Sequence, residues 1–177
     1  MHRLFVAIRP PAPVRKLLLA AMGGISGARW QTEDQLHLTL RFVGDVDRHR
    51  GGDVVAALGS IHHPRFDIAI DGLGTFGRRG RPETVWAGVA PSVPLRTLHN
   101  KVDQAMVRIG LPPESRAYSP HVTLARLKRT SGSIRGLVEG AGGLASPPFT
   151  VAHFSLFESQ LTLEGAVYSV VERYALD

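Results

Sequence analysis

Two four-residue strings, His37-Leu38-Thr39-Leu40 and His121-Val122-Thr123-Leu124, constrain this chain more than any other feature. Successive side chains of a β-strand point to opposite faces, so each string puts His and Thr on one face and its two apolar residues on the other. Each therefore reads as a strand that buries an apolar edge and presents an imidazole beside a hydroxyl. A fold that brings both polar faces to one cleft offers a ligand two titratable rings and two hydroxyls. A lone histidine in such a string is most simply a satisfied, partly buried residue. Two in matching contexts point to a shared site, because chance seldom produces the pair in one chain.

At 177 residues the chain suits one unit, or two small lobes, with a substantial core. It has no cysteine, which excludes disulfides, thiolate metal sites and a cysteine nucleophile, and agrees with a cytoplasmic protein. The first apolar stretch is broken by Arg9, three prolines, Arg15 and Lys16, so it reads neither as a signal peptide nor as a membrane span. The chain carries 21 Lys+Arg against 15 Asp+Glu, a net charge of +6, and nearly all the cations are arginine. Arginine binds phosphate bidentately, which favours an anionic or nucleic-acid ligand. A codon bias that enriches arginine everywhere accounts for the charge equally well.

Helices and strands alternate along the chain. Strands are expected over 3–9, 28–31, 35–43, 66–73, 83–89, 121–127, 149–158 and 166–174. Helical apolar spacing covers 14–22 and 93–109, the latter with Leu95, Leu98, Val102, Ala105, Met106 and Ile109 on one face. Helices over 47–61 and 133–140 complete the set, the former weakened by Gly51-Gly52. Each motif strand follows a helix and precedes one, as in a weak internal duplication. The expectation is an α+β fold of two lobes, each supplying one motif to a central cleft. No linker divides them, so residues 1–177 are taken as a single domain of two interwoven lobes.

A neutral imidazole accepts a proton and an imidazolium donates one, and with an ordinary pKa near 6.5 both forms are accessible at neutral pH. His37 and His121 facing one substrate can thus act as general base and general acid. Phosphodiester hydrolysis needs that pair: one ring activates water, the other protonates the departing alkoxide. The hydroxyls of Thr39 and Thr123 can hold non-bridging phosphate oxygens. A strained five-membered cyclic phosphate is an apt substrate. No metal or other cofactor is expected, since two histidines fall short of the usual three ligands of catalytic zinc and no HExxH occurs.

Arg126 lies five residues after His121, an odd spacing that turns it away from the His/Thr face unless the strand end bends. Arg78, Arg79 and Arg81 form a basic turn that could steer an RNA backbone, or a solvated hairpin tip. His62-His63 sits at an expected helix end, where imidazolium suits the dipole. His2, His49, His99 and His153 have no accompanying constellation. Phe5, Trp30, Phe42 and Trp86 are expected in the core, although each could stack on a base.

These residues resemble the 2H phosphoesterase superfamily, and more closely the bacterial and archaeal RNA 2′,3′-cyclic phosphodiesterases, also described as 2′-5′ RNA ligases. The likeness runs from RLFVAIRPP through HLTLRFVGDV, FGRRGRPETVWAGV and SPHVTLARLK to FSLFESQLTLEGAVYSVVERYAL. It implies a bilobal fold of two pseudo-symmetric lobes of antiparallel sheet, with outer helices around a positively charged cleft. It implies hydrolysis of a terminal 2′,3′-cyclic phosphate of RNA to a 2′-phosphate without metal or nucleotide cofactor, and reversible 2′-5′ ligation. By the resemblance His37 is the proton donor, His121 the acceptor, and Thr39, Thr123 and Arg126 bind the phosphate. Symmetry of the motifs alone does not assign the two histidine roles. Ser119 departs from the arginine often found there, a function that Arg116 could supply. The partner expected is RNA with a 2′,3′-cyclic end, the protein a monomer with no membrane contact. Two other readings remain: a 2H enzyme acting on 2′,5′-linked or small cyclic nucleotides, and a non-catalytic RNA-binding protein.

Overall fold

The computed structural model describes residues 1–177. Ten strands form along the chain: β1 (His2–Ile8), β2 (Arg29–Trp30), β3 (Leu38–Val46), β4 (Phe66–Ile68), β5 (Ile70–Arg78), β6 (Arg81–Val89), β7 (His121–Arg126), β8 (Phe149–Val151), β9 (His153–Thr162) and β10 (Gly165–Ala175). Four helices accompany them: α1 (Ala12–Ala21), α2 (Arg48–Gly59), α3 (Val93–Arg108) and α4 (Arg135–Ala141). The fold is α+β and bilobal.

Strands β10-β9-β1-β3 form one half of an eight-stranded antiparallel sheet, and β7-β6-β5, with β2 against β7, form the other. The halves meet at one register pair, Leu38 opposite Val122. Both residues are fully buried. Around them a core of 26 buried residues packs the motif apolars Leu38, Leu40, Val122 and Leu124 against Val14 and Leu18 of α1, Val54 and Leu58 of α2, and the predicted face of α3. Burying this face forces the alternate residues of both strands to the other side. The two halves are interwoven: β2, from the first half of the chain, borders β7, and the C-terminal β9 borders β1.

Side-chain caps explain two helix starts. Asp47 accepts a hydrogen bond from Arg50 N at 2.7 Å, and Ser92 from Leu95 N at 3.2 Å. With that cap and two buried apolar residues, α2 forms despite Gly51-Gly52.

Some boundaries differ from the expectation. The strand expected over 35–43 starts at Leu38, because Glu33–Gln35 forms a 3₁₀ turn closed by Gln35 Oε1 accepting from Thr32 N at 3.0 Å. The strand over 66–73 divides at Ala69 and that over 149–158 at Ala152, since β4 and β8 pair with each other in a separate two-stranded sheet. The His62-His63 reading is also corrected. Residue 60 already caps α2, and His63 is buried beside Phe66 with Lys101 Nζ at 3.1 Å, so burial and that ammonium lower its pKa and disfavour imidazolium.

Candidate active site

The two motif segments match residue by residue. Residues 37–42 and 121–126 share one burial sequence: half-buried, buried, half-buried, buried, buried, exposed. The cause is a bulge in the same place. Between Val6 and Ala7 the partner on β3 jumps from Arg41 to Thr39, leaving Leu40 as the extra residue. Between Val85 and Trp86 the partner on β7 jumps from Ala125 to Thr123, leaving Leu124. An extra residue resets the alternation of a strand. It therefore returns the sixth residue of each segment, Phe42 and Arg126, to the cleft face.

A cavity of about 650 Å³ lies over the junction. Its walls include His37, Thr39, His121, Thr123 and Arg126, so the structure brings all five sequence-selected residues together. The antiparallel register around Leu38 and Val122 sets His37 across from Thr123 and Thr39 across from His121. No carboxylate lines the cavity, whereas Arg3, Arg116 and Arg126 do. Arg3 lies 3.8 Å from Asp45, and neither Arg116 nor Arg126 has an ion-pair partner. The electrostatics favour an anion.

Each histidine is held in the same way. His37 Nδ1 lies 2.7 Å from Gln35 O, and His121 Nδ1 lies 2.7 Å from Ser119 O. A carbonyl only accepts, so each Nδ1 carries the proton and donates, which leaves Nε2 as the working nitrogen of each ring. Two aromatic rings flank each imidazole. Phe5 and Tyr168 stand 4.9 and 5.2 Å from His37, and Phe76 and Trp86 stand 4.8 and 5.9 Å from His121. Burial lowers the His37 pKa to about 4 against the opposing pull of the Gln35 carbonyl, with the charges of His121 and Arg126 lowering it further. Burial also lowers His121, opposed by the Ser119 carbonyl and aided by Arg126. Both rings are neutral in the unliganded site at pH 7.

A clip joins the motifs from behind. Tyr118 Oη donates to Thr39 O at 2.9 Å and stacks on His99 with centroids 3.9 Å apart. His99 Nδ1 in turn lies 2.7 Å from Leu40 O. His99 thus has a constellation that the sequence did not reveal. Phe42 is another correction: expected in the core, it is 63% exposed at the cavity rim, because of the bulge at Leu40. Phe5 is in the core as expected, and its ring also packs on His37. Tyr168, Phe76, Gln31, Thr84 and Ser159 line the cavity without having been singled out. Gln31 lies just past β2, and the other four follow from strand parity only once pairing is known. Arg116 reaches the cavity, and Ser119 contributes its carbonyl to His121.

Comparison with known proteins agrees with this architecture. Residues 11–162 match the 2′-5′ RNA ligase superfamily. The RNA 2′,3′-cyclic phosphodiesterase of Aeropyrum pernix is 34% identical over 142 residues, covering 78% of this chain and 81% of that protein. A crystal structure from Thermus thermophilus superimposes with a TM-score of 0.81 at 25% identity, covering 98% of this chain and 97% of the other. Escherichia coli LigT complexed with 3′-AMP gives 0.78 at 26% identity, covering 99% and 98%. With its paired motifs, duplicated bulges and matched histidine anchors, the chain belongs to the 2′-5′ RNA ligase superfamily and has the 2H phosphoesterase fold.

Proposed function

We propose that this protein opens the terminal 2′,3′-cyclic phosphodiester of RNA to a 2′-phosphate, using His37 and His121 as a general acid–base pair without a metal. The 2′,3′-cyclic phosphodiesterase activity rests on family membership and on the relatives of that name. The pair of outward-facing Nε2 atoms over one carboxylate-free cavity carries the rest. His121 Nε2 takes a proton from water as its oxygen bonds to phosphorus. The bound phosphate favours the His37 imidazolium, so His37 takes up a proton at Nε2 on binding and gives it to O3′ as the P–O3′ bond breaks. A 2′-phosphomonoester and a 3′-hydroxyl result.

Which ring plays which part follows the family resemblance, since the two anchors are alike. Thr39 and Thr123 donate to the non-bridging oxygens, and Arg126 balances their charge. Phe42 offers an exposed ring to the terminal base. With a 5′-hydroxyl in place of water, the same step, His121 taking its proton and His37 protonating O3′, would give a 2′-5′ linkage; only the reverse cleavage of that linkage exchanges the two histidine roles.

The decisive experiment supplies a short RNA with a 2′,3′-cyclic end in excess EDTA and resolves 2′- from 3′-phosphate product. The expected result is 2′-phosphate, reduced by about 10²-fold or more in His37→Ala and in His121→Ala. Loss of turnover in EDTA overturns the metal-free reading. A 3′-phosphate product overturns the assigned leaving group. Full turnover in either variant overturns the acid–base pair.

A further inference from the structure

Beside the cavity lies a trough of about 900 Å³ that shares two walls with it, Thr84 and Arg126. Arg78, Arg79 and Arg81 from the β5–β6 hairpin form one side, and Arg126, Lys128 and Arg129 the other. None of these six cations pairs with a carboxylate, and Glu83 is the single acid in the walls.

The hairpin tip carries two local conflicts. Arg79 has φ 51 beside Gly80 at φ 74, a two-residue turn in which Asn or Gly fits with less strain. Arg78 and Arg81 are register partners, like charges directly opposed. Both features destabilise the free hairpin, and no contact within the chain offsets them. Backbone strain retained at an exposed site points to function. A polyanion that threads the trough neutralises the charge that the hairpin concentrates.

We infer that this trough carries the single-stranded RNA that leads into the site, binding backbone phosphates 5′ to the cyclic end. The inference rests on the proposed reaction, because a 2′,3′-cyclic phosphate closes a 3′ terminus and the rest of the strand can leave only on its 5′ side. The substrate class is therefore an oligonucleotide rather than a cyclic mononucleotide, and the hairpin supplies the preference.

The test compares a 2′,3′-cyclic mononucleotide with an octanucleotide bearing the same end. In the variant Arg78→Gln/Arg79→Asn/Arg81→Gln, kcat/KM for the octanucleotide should fall by about tenfold or more, while that for the mononucleotide holds within about twofold. The slope of log(kcat/KM) against log salt should flatten by roughly 2, from three lost contacts at about 0.7 each. Arg79→Asn alone should raise the melting temperature and still weaken octanucleotide binding, which separates this effect from misfolding.

Equal losses on both substrates, or none on either, overturn the inference. A fluorescent octanucleotide with a 3′-hydroxyl, followed by anisotropy, reads the trough without turnover. If the chemistry fails but this RNA still loses affinity in the triple variant, the proposed reaction falls and the trough stands. Polyglutamate competing as well as RNA would overturn the RNA assignment in favour of an acidic protein.

Discussion

Tyr118 donates its phenolic proton to the carbonyl of Thr39 at 2.9 Å, tying the approach to the second motif onto the strand of the first. The two strands share only the Leu38–Val122 pair, so this bond and the His99–Leu40 contact reinforce a junction that backbone pairing leaves thin. Burial raises the Tyr118 pKa, so the hydroxyl stays protonated and donating. Tyr118→Phe keeps the stack on His99 and removes the bond. The expected loss is about 1 kcal/mol of stability by denaturant unfolding. It should also lower kcat by on the order of tenfold with KM little changed, because small misplacements of reacting groups are costly. A stability loss with full kcat would make the clip purely structural.

The pH dependence follows from burial. Sequence alone places both limbs of a bell near neutrality. In the free protein His37 titrates at about 4, and His121 lies below its ordinary 6.5. Because kcat/KM reports the free enzyme, its optimum should lie below 6.5, on the acid side of a bell built from two ordinary histidines. Exchanging acid and base leaves that bell unchanged. A phosphate held between the rings favours imidazolium, so the kcat profile should lie at higher pH. Both profiles measured on a 2′,3′-cyclic mononucleotide test this, and a flat profile from pH 5 to 9 would refute acid–base catalysis.

The same shift is a statement about stability. His37 is neutral when folded down to about pH 4, while unfolded it gains a proton near 6.5. The unfolded state therefore binds more protons between those values, and stability falls as pH drops through that window. The effect reaches about 3 kcal/mol at most, since each pKa unit is worth about 1.4 kcal/mol. His37→Gln has no such proton to gain. Its melting temperature should decline less between pH 7 and 4 than that of the parent protein, and parallel curves would refute the shift.

The motif pattern was readable because strand alternation is local: His37, Thr39, His121 and Thr123 lie where a period of two puts them. The helices were readable too, since α1 and α3 show their buried faces as spaced apolar residues. Bulges are not legible in this way. Leu40 and Leu124 look like ordinary core positions, and their extra-residue status appears only against the partner strands β1 and β6. That is why parity turned Arg126 away and left Phe42 in the core. The anchors of His37 and His121 are backbone carbonyls, which carry no side-chain signature. Ala69 and Ala152 end strands because β4 and β8 find each other across the chain, a non-local choice.

Trp86 reaches His121 by lying across Gly74, its register partner on β5. A Cβ at residue 74 would stand 2.1 Å from the indole Cη2, so the ring and a side chain there cannot coexist without movement. Gly74→Ala should therefore lower stability by about 1–3 kcal/mol, the usual cost of overpacking, and lower kcat as the indole leaves the His121 ring. In a Trp86→Leu background the clash is gone, and Gly74→Ala should then be close to neutral. A double-mutant cycle by thermal or urea unfolding reads this coupling, which contacting residues show and distant ones do not. Additive losses would mean that Gly74 serves the β5 backbone rather than the indole. Coupling in stability together with a kcat restored in the double variant would mean that the ring's displacement, not its absence, disturbs His121.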